Sequence, residues 1–136
     1  MRRNPADLTP YTDCPEDEAL GLVPLAIGWL DKRQPFATGT VSDKFITALL
    51  PFCEQPNNVY AAPKARPCPL CNKHIEPLGR AQLRAIGEEN IYAAPDLIYH
   101  FVTTHEYKPP AEFIEAVLSC PAGSATHRAL IQALPD

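Results

Sequence analysis

Sixteen prolines interrupt the 136 residues of this chain, more than twice the usual share of about 5%. Each lacks a backbone N–H and holds a fixed φ, so helices must be short and turns or extended stretches numerous. A bundle of long helices is excluded. The remaining composition is ordinary for a globular protein, with 46% hydrophobic and 21% charged residues, which excludes a wholly disordered, collagenous or heptad-built chain. The length suits one domain with one core.

The apolar pattern predicts an α+β fold, a small single domain of short strands and several short helices. Residues 1–18, with Asn4-Pro5, Thr9-Pro10 and Cys14-Pro15, read as an extended arm over a domain of residues 19–136. Leu20 to Leu30 reads as a buried strand, which Pro24 restricts to an edge or a bulge. Ser42 is an N-cap for a helix over 43–53, with Phe45, Ile46, Leu49 and Leu50 on its inner face and Pro51 in its last turn. Val59 to Ala62 is a short extended piece. Residues 81–86 and 90–93 flank Gly87-Glu88-Glu89 as a hairpin. Three helices follow: one opened by Pro95 and running to His105, one opened by Pro109-Pro110, and one capped by Ser124 over 125–134.

The longest nearly apolar run, Leu20 to Leu30, holds Pro24, Gly21 and Gly28 and falls short of the ~20 residues that span a bilayer. No membrane association is expected. Met1-Arg2-Arg3 leads into Asn4-Pro5-Ala6-Asp7 rather than an apolar stretch, so the expected location is cytoplasmic. In a reducing compartment the pair in Cys68-Pro69-Leu70-Cys71 favours metal ligation over a disulfide.

A structural zinc site wants four soft or borderline donors, commonly two from a tight CxxC turn and two from histidines on a helix. Cys68 and Cys71 supply the turn, and His100 and His105 supply the pair as HxxxxH. Five residues advance an ideal helix by about 500 degrees, leaving the two rings about 140 degrees apart, so the last turn must tighten or widen. The order of CxxC knuckle, hairpin and ligand-bearing helix suits a ββα or treble-clef zinc-finger-like unit over 59–107. The expected cofactor is structural Zn(2+). His74 offers a rival set through CxxCxxH, and three ligands with one open position would make a catalytic centre. Cys14, Cys53 and Cys120 read as structural thiols, and His127 as a surface residue.

No P-loop, GxGxxG, GxSxG, HExxH or zinc-deaminase pattern occurs in the chain, so the reading leans away from an enzyme. Net charge is −4. The basic residues Lys64, Arg66, Lys73, Arg80 and Arg84 nevertheless cluster around the CxxC, with Glu76 the one acid among them. They are the candidate phosphate contacts of a nucleic-acid-binding finger, although acidic flanks deny the chain a broad positive footprint. For a protein partner the candidate contacts are Tyr107, Pro109 and Pro110, together with Pro35-Phe36. The alternative for that segment is a chain turn pinned to the core by Tyr107.

The run Ile91-Tyr92-Ala93-Ala94-Pro95-Asp96-Leu97-Ile98-Tyr99-His100-Phe101-Val102-Thr103-Thr104-His105-Glu106-Tyr107-Lys108-Pro109-Pro110, with Phe113, resembles a family of small uncharacterised bacterial proteins. Gly28-Trp29-Leu30, Pro35-Phe36 and the CxxC ahead of the histidine helix are similar too, so the likeness runs from about Leu20 to Cys120. It implies a shared metal site and fold and names no activity. Phe101 stands where the resemblance implies tyrosine. The expected function is a non-enzymatic, zinc-binding interaction module with a protein partner, regulatory or toxin-neutralising. The alternatives are a nucleic-acid-binding finger and a metal-dependent hydrolase with an open zinc site.

Overall fold

The computed structural model describes residues 5–12, 14–62, 67–71 and 79–134. Along them run helix α1 (Pro15–Ala19), strand β1 (Leu25–Ala26), helix α2 (Asp43–Leu49), strands β2 (Gln82–Ile86) and β3 (Ile91–Pro95), and helices α3 (Ile98–His105), α4 (Ala111–Ser119) and α5 (Ala125–Ala133). The result is the expected α+β domain. β3 lies at the centre of the sheet, antiparallel to β2 and parallel to β1.

Much of the local order follows from capping chemistry. The Ser42 hydroxyl accepts from the Phe45 N–H at 3.1 Å, which starts α2, and the chain continues as a 3-10 turn over Leu50–Cys53 that accommodates Pro51. Ser124 caps α5 in the same way, accepting from His127 N–H at 3.4 Å. Pro110 is the N-cap of α4. Val59 exchanges both backbone hydrogen bonds with Gln82, at 2.7 and 2.8 Å, and so covers the outer edge of β2.

Four local expectations are corrected. Within Leu20 to Leu30 only Leu25 and Ala26 are strand, because Gly21 and Gly28, at φ +71 and +73, bend the chain at both ends. At Gly28 a side chain would also meet Ile98 at 3.0 Å. The hairpin connection spans residues 87–90 rather than three positions, closed by Gly87 N–H donating to the Asn90 carbonyl at 2.8 Å. Pro95 does not open α3. It ends β3 opposite Gln82, and Asp96 continues that pairing by donating to the Ala81 carbonyl at 2.9 Å. The arm is not wholly extended either, since α1 occupies its end. Before α1, Leu8, Thr9 and Tyr11 hydrogen-bond along Pro24 and Ala26.

The main core joins α2, α3 and α4 to one face of the sheet through Phe45, Leu49, Leu83, Ile98, Phe101 and Phe113. Each such side chain, fully buried, contributes roughly 1.5–3 kcal/mol of transfer free energy. The other face is covered by the N-terminal segment, where Tyr11 and Cys14 pack with Ala26 and Ala93. Tyr11 stacks on Trp29 with ring centroids 4.9 Å apart.

Candidate metal centre

Residues 68–71 form a tight knuckle whose first cysteine is buried and whose second is half-buried. Leu70 N–H donates to Cys68 Sγ at 3.3 Å, closing the turn on itself. Cys68 belongs to the main core, and Leu70 and Cys71 pack against it. The knuckle is thereby laid on the body of the domain.

α3 presents His100 and His105 to that knuckle. The two rings meet despite the 140-degree mismatch of an ideal helix, with centroids 5.1 Å apart. Both Glu106 N–H and Tyr107 N–H turn back to the carbonyl of Phe101, five and six residues earlier instead of four. This widened closure turns the chain less per residue. Glu106 adopts a left-handed φ of 58 and stops the helix there. Ile98, Phe101 and Val102 are buried and hold α3 against the core.

Cys68 Sγ lies 3.4 Å from His105 Nε2, and Cys71 Sγ lies 3.2 Å from His100 Nε2 and 3.4 Å from His105 Nε2. All four donor atoms fall within 4.8 Å of one another. Bonds of about 2.3 Å to sulfur and about 2.05 Å to nitrogen, at tetrahedral angles, put S and N about 3.5 Å apart. The donors therefore already stand at close to the edges of a coordination tetrahedron. The group could hold a metal ion.

Two further interactions prepare the donors. Thr104 Oγ1 lies 3.3 Å from His100 Nδ1, where a hydroxyl accepting from Nδ1–H would leave Nε2 free to face the cluster. The Cys71 thiol is pushed up, first by desolvation and then by neighbouring Cys68. Neither Thr104 nor the Leu70 amide was singled out in the sequence. The four-residue return from Thr104 to His100 is the signal that could have exposed the first.

The remaining candidates separate clearly. His74, Lys64, Arg66 and Lys73 lie outside the described residues. Arg80 is exposed. Arg84 is fully buried and is not a surface contact. Its guanidinium meets Asp17 through Nε at 3.2 Å and Nη2 at 2.9 Å, donates to the Leu83 carbonyl, and lies 5.6 and 5.5 Å from the Tyr11 and Tyr60 ring centroids. The cause is that the arm covers this face of β2, so Arg84 is enclosed rather than solvated.

Tyr107 and Pro109 are likewise buried, which removes them as partner contacts, and Pro110 is half-buried. The Tyr107 hydroxyl donates to Asp7 Oδ2 at 2.6 Å, and residues 37–39 pair with the chain around it through Lys108 N–H to Ala37 and Gly39 N–H to Glu106. The pinned-turn alternative is the one observed. His127 is also buried, edge-on to Phe52 at 4.9 Å, with Nδ1 accepting from Gly123 N–H. Burial pushes the Cys53 thiol up to about 12 and the Cys14 thiol to about 11. Both are suppressed as thiolates.

Fold and site together define a small α+β domain with a Cys2His2 group able to take a metal ion. A family described as a domain of unknown function, DUF7919, matches residues 4–118, and the chain belongs to it. No curated protein and no solved structure matches the chain. Among the described residues no helix is long and apolar enough to cross a membrane.

Proposed function

We propose that the chain is a non-enzymatic, zinc-stabilised interaction module of the cytoplasm, with a protein as its partner. The observation that carries the reading is the closed donor set, Cys68, Cys71, His100 and His105, at near-tetrahedral separations. Two thiolates and two imidazoles suit zinc among the common metals. Four protein donors leave no coordination position for water, so such a zinc holds structure and generates no hydroxide. In this reading the metal ties a finger-like unit over 59–107 into a domain of residues 19–136, with residues 1–18 as its arm. Zinc would tie the knuckle to α3 and add to the stability that the apolar core already supplies.

A protein partner fits the surface chemistry better than a nucleic acid. Glu88, Glu89, Glu112 and Glu115 line an open groove of about 470 Å³ between the hairpin and α4, and its charge repels phosphate. The exposed residues of α3 are Thr103 and Thr104, followed by Glu106 at its cap, a poor set for reading bases. Arg84 is lost to the interior, which weakens the nucleic-acid alternative further.

Metal analysis of the purified full chain tests the reading, with about one zinc per chain as the expected result. Cobalt substitution should give a tetrahedral S2N2 spectrum that small anions and His74→Ala leave unchanged. A spectrum altered by His74→Ala and indifferent to His105→Ala would support the open-site hydrolase. Binding to duplex or single-stranded nucleic acid that weakens steeply with salt would support the finger alternative.

A further inference from the structure

The knuckle and α3 are separated by about 30 residues of chain, since Cys71 and His100 stand 29 positions apart. Among the described residues, the hydrogen bonds that leave the two knuckle sulfurs run to His100 and His105. A cavity of about 190 Å³ is lined by Pro67 and Pro69 beside the cysteines and by Trp29, Leu30, Leu97 and Phe101 of the body of the domain. Leu30, Leu97 and Phe101 are each less than a tenth exposed. The knuckle therefore faces an apolar floor, held by its own apolar packing and tied to α3 through its two sulfurs.

The geometry of those fastenings decides what oxidation would do. Cys68 and Cys71 are near neighbours within one turn, and their sulfurs lie within 4.8 Å of each other. A disulfide between them would close a loop inside the knuckle and put no constraint on α3. The same two sulfurs that tie knuckle to helix through a metal would then tie the knuckle only to itself. α3 would stay in place, because Ile98, Phe101 and Val102 anchor it independently.

We propose that the knuckle is a peroxide-released cover: oxidation of Cys68 and Cys71 to a disulfide discharges the metal, unfastens residues 68–71 from α3 and exposes the apolar floor. This rests on the zinc reading above. The half-buried Cys71 sulfur attacks one peroxide oxygen, the O–O bond breaks, and hydroxide leaves and takes a proton to become water. The Cys68 thiolate then attacks the resulting sulfenic sulfur, expelling a second hydroxide that becomes water with a second proton. Each sulfur loses one electron, the peroxide gains two, and Zn(2+) departs with its charge unchanged. A thiol reductant and zinc reverse the change.

The test uses the full chain loaded with zinc and titrated with hydrogen peroxide. Zinc release to a chromogenic chelator, disulfide mapping by mass spectrometry, far-UV circular dichroism and binding of an apolar dye are followed together. The expected result is stoichiometric loss of zinc with a Cys68–Cys71 disulfide, retained helical signal and increased dye binding, all reversed by reductant plus zinc. Zinc retained while peroxide is consumed, disulfides mapped to Cys14, Cys53 or Cys120, or zinc loss with collapse of the helical signal would each overturn the proposal. A chain that holds no zinc before peroxide is added overturns the zinc reading and this inference with it. A zinc-bearing chain that resists peroxide overturns this inference alone.

Discussion

Asp17 and Arg84 stand 67 residues apart in the chain and close a two-point ion pair in an interior that leaves neither side chain more than 1% exposed. The pair fastens α1 to the middle strand residue of β2, and Tyr11 and Tyr60 flank its guanidinium. Removing one partner leaves an uncompensated buried charge. Asp17→Ala should therefore lower unfolding free energy by about 3 to 5 kcal/mol. Adding Arg84→Met to that variant should recover part of the loss, and urea denaturation of the single and double variants measures both.

Thr104 reaches the donor group through His100. Replacing it by valine keeps the shape of the side chain and removes the acceptor for Nδ1. Zinc affinity should fall by about 10- to 100-fold, while the cobalt derivative keeps its tetrahedral spectrum. Competition with a chelator of known affinity reads the first effect. A remodelled spectrum would show instead that Thr104 sits among the ligands themselves.

His127 should make stability depend on pH in a definite direction. Burial pushes its imidazole down from the ordinary 6.5, so the unfolded chain takes up a proton where the folded chain refuses it. Its contribution is thus fully present above about 6.5 and is lost as pH falls below, with a slope of at most ~1.4 kcal/mol per pH unit. His127→Asn, whose Oδ1 takes the position of Nδ1 and can accept from Gly123 N–H, should flatten that part of the curve. Denaturation series between pH 5 and pH 8 on both proteins provide the comparison.

The Tyr107 hydroxyl holds Asp7, whose other oxygen accepts from Gly28 N–H at 2.9 Å. Tyr107→Phe deletes one hydrogen bond to a carboxylate and should cost roughly 1 to 3 kcal/mol. Amide exchange should accelerate most in residues 5–12, which the Asp7 contacts help to keep against β1. Acceleration spread evenly over the chain would instead mark a general loss of stability.

How much of this was legible in the sequence depended on whether the physics was local. Ser42 and Ser124 could be read as caps because a capping hydroxyl needs only its own third neighbour. The hairpin around Gly87 was read for the same reason, with an error in its connection that came from placing the second strand one residue early. The Cys2His2 group was legible too, since donor chemistry and spacing restrict a tetrahedral site before any fold is known. Pro95 misled. Its fixed φ suits a strand as well as a first helical position, and pairing with Gln82 decided between them.

What only the tertiary structure decided was which surfaces are covered. Arg84 and His127 carry polar groups that favour water and read as surface residues, while for Tyr107 a surface contact and a core anchor were both open. Each is buried because a distant segment supplies its partner: Asp17 for Arg84, Asp7 for Tyr107, Gly123 and Phe52 for His127. The two-residue β1 is a further case, a strand by virtue of its parallel pairing with Tyr92 and Ala93 rather than its own pattern. Sequence spacing determines which donors and caps are within reach of one another along the chain. The second face of the sheet, and the arm that closes it, determines which charges and hydroxyls leave the solvent, and that is a property of the packed chain alone.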